Sequence, residues 1–210
     1  MSFRLYRKIQ QGEFFVVFGD TAQGGDDKNF VQFLSTRNLD IPLVLSMHGV
    51  AAEMTPHLVQ ALRWIKKLTG APPMVALERQ NGGISAMHDL MTSNLSGDYN
   101  LYVAKSSGTL DGEERTDRLG WDTNASTRPG MLGDWLTAFN AKQVVIYDKE
   151  TLDHHQTFIV NKSGKPEAAP NTHDDAVMAC AGVWQMYQTE HPPVKRTHRN
   201  NTQERLKLHV

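Results

Sequence analysis

The chain has 210 residues, with 22 Lys/Arg against 23 Asp/Glu and a single cysteine. That is enough for one ample core and one domain, and the mixed composition excludes a disordered or fibrous chain. Cys180 alone excludes an internal disulfide framework, no run approaches the ~20 apolar residues of a membrane span, and the start, Met1 to Lys8, has no apolar stretch for a signal peptide. The expectation is a soluble intracellular protein.

Charge is unevenly placed. Residues 191–210 hold Lys195, Arg196, Arg199, Arg205 and Lys207 against Glu204, a net +4. The other 190 residues carry −5, the difference between the chain's −1 and this +4. His191-Pro192-Pro193 breaks the preceding helical pattern, so 191–210 is expected to be a basic, disordered tail on a domain spanning 1–190.

In chain order, residues 13–19, with an apolar run from Phe14 to Gly19, predict a buried strand followed directly by Asp20. Gly24-Gly25-Asp26-Asp27 predicts a turn, and 29–35 and 41–48 predict two further strands of an antiparallel meander. Thr55-Pro56 reads as an N-cap followed by a first-turn proline. Leu58, Leu62, Ile65 and Leu68 then recur at helical spacing up to Gly70. Residues 73–77 predict a short strand ending at Glu78, 82–95 a helix, and 100–104 a strand. Residues 105–128 lack apolar periodicity and read as a long loop that contacts substrate, with Lys105, Arg115, Arg118 and Arg128 as its cations. Trp121 is read as packing the loop base onto the domain. Residues 129–141 predict a helix, 143–147 a strand, 156–160 one arm of a hairpin turning at 161–164, and Asp174 to about Gln188 a last helix. Strands alternating with crossover helices imply an α/β fold with a mixed sheet flanked by helices.

The chemistry lies in the acids at element ends. Asp20 and Glu78 each follow a buried strand, and Asp174 and Asp175 open an Ala-rich helix. Carboxylates brought together this way repel unless cations neutralise them. An all-oxygen donor set suits Mg2+ or Mn2+, and a pair of such ions is the arrangement that cleaves phosphodiesters. Asp20 is placed to bridge both ions; Glu78 and either Asp174 or Asp175 would complete one each. Other clusters are weaker. His154 and His155 with His173 and Asp174 could form a zinc or iron site, but neighbours in a strand point to opposite faces. Gly164-Lys165 lacks the rest of a phosphate-binding loop. Cys180 reads as a buried structural thiol.

Four segments carry a resemblance. Phe18-Gly19-Asp20-Thr21-Ala22-Gln23-Gly24-Gly25-Asp26 resembles the first nuclease motif of the large terminase subunits of tailed bacteriophages, and Leu77-Glu78-Arg79-Gln80-Asn81-Gly82-Gly83 the second. Leu119-Gly120-Trp121-Asp122-Thr123-Asn124, with Thr127-Arg128-Pro129, resembles a segment between the second and third motifs. The third motif is resembled by residues 164–170 and then His173-Asp174-Asp175-Ala176-Val177-Met178-Ala179. The resemblance covers about residues 13–188. It implies a ribonuclease H-like fold and an endonuclease that cuts concatemeric viral DNA during packaging in the host cytoplasm. It implies two Mg2+ or Mn2+ ions at Asp20, Glu78 and the Asp174/Asp175 pair, with duplex DNA as substrate. An ATPase motor domain, a portal and a small terminase subunit are the implied partners. Where some relatives have a further acid after the first Asp this chain has Gln23, and Asp26 or Asp27 is the available substitute. Other ribonuclease H-like nucleases, such as junction resolvases, and a non-catalytic DNA- or portal-binding module are the alternatives.

Overall fold

The strand β2 (Phe15–Asp20) lies at the centre of the molecule. The computed structural model describes residues 2–104 and 119–190. Alternation along β2 sends Phe15 and Val17 to one face of the sheet and Val16 and Phe18 to the other, and all four are buried. A strand covered on both sides reads as an unbroken apolar run, which is why it was visible in the sequence.

Around it, β3 (Gln23–Ser35) and β4 (Asp40–Val50) complete the antiparallel meander. The edge strand β1 (Ser2–Leu5) pairs antiparallel with β4. On the other side β5 (Met74–Leu77) runs parallel to β2, and β6 (Asn100–Leu101) parallel to β5. With β7 (Val145–Ile146) parallel to β4, the seven-stranded sheet is mixed, in the order β1-β4-β3-β2-β5-β6. One face is covered by α1 (Ala51–Thr69) and α2 (Gly83–Ser93), through Leu58, Leu62, Met87 and Leu90. The other is covered by α3 (Arg128–Asn140) and α5 (Asp175–Glu190), through Met131, Trp135, Val183 and Met186. Between them lie α4 (Lys149–Gln156) and a separate hairpin of β8 (Phe158–Val160) and β9 (Pro166–Ala168). Among the described residues no helix is long and apolar enough to cross a membrane.

Four expectations need correction. Gly24-Gly25-Asp26-Asp27 is not a plain turn but lies within β3. The β2–β3 ladder stops at Asp20↔Phe30, and β3 then follows β4 alone, with a register break between Gln23 and Lys28. Gly24 and Gly25 supply the left-handed backbone this break needs, at φ 97° and 80°. The first helix starts at Ala51, not at Thr55, because Ala51, Ala52, Glu53 and Met54 favour helix and Ala51 and Met54 are buried. Thr55 does not cap; its hydroxyl donates to the Ala51 carbonyl oxygen at 3.0 Å. Residues 149–156 are helix, so His154 and His155 are not strand neighbours. The cap is Asp148, whose carboxylate accepts the Thr151 N–H at 2.7 Å. Finally β1 had no sequence signal, since Phe3 and Leu5 on this edge strand are exposed.

Candidate active site

Strand ends and one helix start converge at the carboxyl end of β2. Asp20 is its last residue, and Glu78 follows β5, whose Leu77 pairs in parallel with Gly19. The Glu78 N–H donates to the Gly19 carbonyl oxygen at 2.8 Å, so the two acids are stitched together through the backbone. Asp175 opens α5 and Asp174 immediately precedes it, and both reach the same cleft. All four carboxylates line one cleft of about 260 Å³, with Thr21, Asp27, Gln80, Asn81, Arg128 and His173 among the other walls.

The turns beneath are held by side chains. Asn29 accepts the Ala22 N–H at 3.0 Å and donates to the Gly49 carbonyl oxygen at 2.8 Å, fixing the chain just after Asp20. Thr21 donates to the Gln80 carbonyl oxygen at 2.8 Å, and the Gln80 amide donates to the Thr123 carbonyl oxygen. Trp121 bridges to the end of β5: its N–H donates to the Leu77 carbonyl oxygen at 2.9 Å, and its own carbonyl oxygen accepts the Arg79 N–H at 2.8 Å. Its ring packs against Tyr102 with centroids 5.8 Å apart. The segment therefore forms part of the wall behind Glu78, in line with a packing role for Trp121.

Electrostatically the cleft is a concentration of negative charge. Burial pushes the Asp20 carboxyl well above the usual carboxylate range, reinforced by a hydrogen bond shared with Glu78 and by the charges of Glu78, Asp175 and Asp174. Burial likewise raises Asp175 to about 6, with Asp27 and Asp174 adding to the shift and His173 and the Lys28 backbone N–H opposing it. Asp174 differs from its neighbour, because its Oδ2 accepts from the Arg128 guanidinium at 2.9 Å. Arg128 thus stands at the cleft wall against a carboxylate, with its Nε buried and without a hydrogen-bond partner.

Of the residues singled out in the sequence, Asp20, Glu78, Asp174, Asp175 and Arg128 meet in the cleft. Lys105, Arg115 and Arg118 lie outside the described residues. His154 and His155 do not combine with His173 and Asp174 in one metal site: His155 Nε2 accepts the Trp135 indole N–H at 2.9 Å, while His154 Nδ1 accepts the Ala176 N–H at 3.3 Å. Asp27, named above only as a substitute acid, and His173, read above into a histidine cluster, also line the cleft, a pairing the sequence reading did not anticipate. The signal available was their order, one in the acidic run after the first motif and one immediately before Asp174-Asp175.

No protein-family model matches the chain, and no curated protein matches it. Solved structures do. A large terminase nuclease from the thermophilic phage G20c superposes with a TM-score of 0.60 at 17% identity, over 88% of this chain and 86% of that one. Its form with bound magnesium gives 0.58 at 16%, over 87% and 84%. The large terminase nuclease domain of Thermus phage P74-26 gives 0.56 at 16%, over 84% and 80%. The sheet and its helices thus define a ribonuclease H-like α/β protein. More narrowly, the fold is that of the nuclease domains of phage large terminases.

Proposed function

We propose that this chain is a divalent-metal-dependent endonuclease of the large-terminase kind, cutting concatemeric viral DNA during genome packaging. The observation that carries the reading is the meeting of Asp20, Glu78, Asp174 and Asp175 in one cleft of a terminase-nuclease fold. The donor set fits hard cations: burial and neighbouring acids push the Asp20 carboxyl well above its usual range, and Mg2+ or Mn2+ would relieve that crowding of negative charge. The G20c nuclease was solved with magnesium, with cobalt and with zinc, which supports a divalent ion here.

Asp20, central among the acids, would be shared by two ions, with Glu78 on one side and the α5 acids on the other. When bound, the pair activates a water and stabilises the leaving 3′ oxygen. Of the α5 acids, Asp175 faces Asp27 and the β3 backbone, whereas Asp174 is engaged by Arg128. Asp175 is therefore the metal-facing member, and Arg128, held by Asp174, is the cation nearest an incoming phosphate. Lys105, Arg115 and Arg118 are the further proposed DNA contacts. The motor domain, portal and small subunit are the partners that such a nuclease would serve, in the host cytoplasm.

Supercoiled plasmid incubated with Mg2+, Mn2+, Ca2+ or chelator tests the reading. Cleavage is expected with Mg2+ or Mn2+ and absent with chelator; cutting that persists in excess chelator overturns metal dependence. Preference for branched junctions over linear duplex would move the chain to the resolvase class. Metal binding without cleavage of any DNA would leave a binding module.

A further inference from the structure

We propose that His154 is a positioning residue that caps helix α5 in place of Asp174, and so frees the Asp174 carboxylate to hold Arg128 at the cleft wall. The Asp174 carbonyl oxygen accepts the Met178 N–H at 2.9 Å, the first bond of α5, which makes Asp174 the cap position. An aspartate there ordinarily turns its carboxylate back onto the N–H two or three residues on, here Ala176 or Val177. The Ala176 N–H donates instead to His154 Nδ1 at 3.3 Å, and Asp174 Oδ2 accepts from the Arg128 guanidinium at 2.9 Å. A side chain from α4 has taken over the backbone amide, and the residue that would normally serve it is turned to a cation.

An imidazole suits this exchange. It satisfies an N–H at the positive end of a helix without adding another negative charge beside Asp20, Glu78, Asp174 and Asp175. The bond also fixes the tautomer: Nδ1 accepts, so the proton of the ring sits on Nε2.

The placing of α4 is otherwise hard to account for. The helix buries only Thr151, so apolar burial does not decide where it lies. Polar contacts do. Thr151 Oγ1 accepts from Gln32 Nε2 at 2.9 Å, Glu150 pairs with Lys28, and His155 Nε2 accepts the Trp135 indole N–H. They bring the His154 ring against Phe30, with centroids 5.5 Å apart, and against His173, stacked at 6.2 Å. Strand β3, helix α3 and the segment before α5 thus all fix the acceptor that meets Ala176.

Without His154 Nδ1, the amide and Arg128 would compete for one carboxylate, and Arg128 would lose its hold. The effect on DNA rests on the nuclease reading above, in which Arg128 meets a phosphate; the cap itself does not.

Two substitutions separate the ring from its nitrogen. His154→Phe keeps an aromatic ring and removes the acceptor, whereas His154→Asn gives up the ring and sets a side-chain oxygen near the place of Nδ1. Duplex affinity of the intact chain, measured by fluorescence anisotropy with Ca2+ as the cation, should fall about fivefold in His154→Phe and stay within about twofold of the wild type in His154→Asn. In an Arg128→Gln background His154→Phe should have no further effect. Independently of DNA, long-range 15N–1H spectra of the wild type in chelator should show His154 with Nδ1 bare and Nε2 protonated. A ring protonated on Nδ1, unchanged affinity in His154→Phe, His154→Asn as weak as His154→Phe, or a loss that persists without Arg128 overturns the proposal. If His154→Phe does not fold, the wild-type spectrum and the affinity of His154→Asn decide by the same outcomes. A wild-type chain that shows this imidazole yet neither binds nor cuts duplex DNA overturns the nuclease reading and leaves the cap standing.

Discussion

The Asp20 carboxyl is held well above the usual carboxylate range. Burial and the hydrogen bond with Glu78 favour the neutral form, and Asp175 and Asp174 add like charge. Asp20→Asn keeps the shape and donor capacity of that neutral acid but cannot serve a cation. The expected outcome is loss of plasmid cleavage, with a metal-free melting temperature equal to or above the wild type's. Each kcal/mol of relief would raise it by about 2–4 °C in a chain of this size. An unfolded variant, or one that cuts normally, would assign Asp20 a structural role. His155 gives a second test, through pH. Burial depresses its pKa, assisted by the charge of His154, against a bond to Thr151. With the folded value below the unfolded one of about 6.5, the unfolded chain takes up the proton first. The His155 contribution to stability is whole above pH 6.5 and is lost as pH falls below it towards the folded value. Melting in chelator at pH 7 and pH 5 should show a larger drop in the wild type than in His155→Gln. The carboxylate cluster titrates in both proteins, so it cancels from the difference; equal drops would contradict the assignment.

Among the elements, α5 decides the site, and Gly182 decides where α5 lies. A methyl group at this position would strike the ring of Phe18, two residues before Asp20 on β2. The close approach of helix to strand is what brings Asp175 to Asp20. Gly182→Ala should cost about 1–3 kcal/mol as the core is overpacked, and should slow cleavage further by moving Asp175. Chemical denaturation and plasmid kinetics measure both; an unchanged midpoint would mean that Phe18 yields freely. The ease of reading each element in the sequence follows the same packing. β2, β5 and α5 were legible because full burial on one or two faces leaves long apolar runs, and their acids stood at the ends. β1 is an exposed edge, and α4 buries only Thr151, so neither leaves a hydrophobic period to find. The Asp27–His173 approach was illegible for another reason. It is a contact between distant parts of the chain, set by where a bulge in β3 meets the start of α5.

Across the whole molecule, charge is divided unevenly along the chain. Residues 1–190 sum to −5 and residues 191–210 to +4. Duplex binding is expected to be weak and sequence-independent, weakening with salt by about 0.9 in log K per log salt for each phosphate neutralised. Removing 191–210 should flatten that slope by at most about 0.9 for each cation lost from contact. Fluorescence anisotropy across a salt series would show it, and an unchanged slope would place residues 191–210 off the DNA.

The closure at the base of residues 105–118 has an evolutionary consequence. Val103 bridges both Leu119 and Gly120, and the Gly120 N–H donates to the Tyr102 carbonyl oxygen at 3.0 Å. The two ends of the segment are thus buttoned together before Trp121 reaches Glu78. Lengthening a segment already closed at its neck costs little, about 0.6 kcal/mol for each doubling. The length of the stretch between these two ends is thereby uncoupled from the acidic cleft, while Lys105, Arg115 and Arg118, the proposed DNA contacts, restrict which of its positions can be replaced. A foreign peptide or a fluorescent tag grafted there should leave the acidic cleft as it stands.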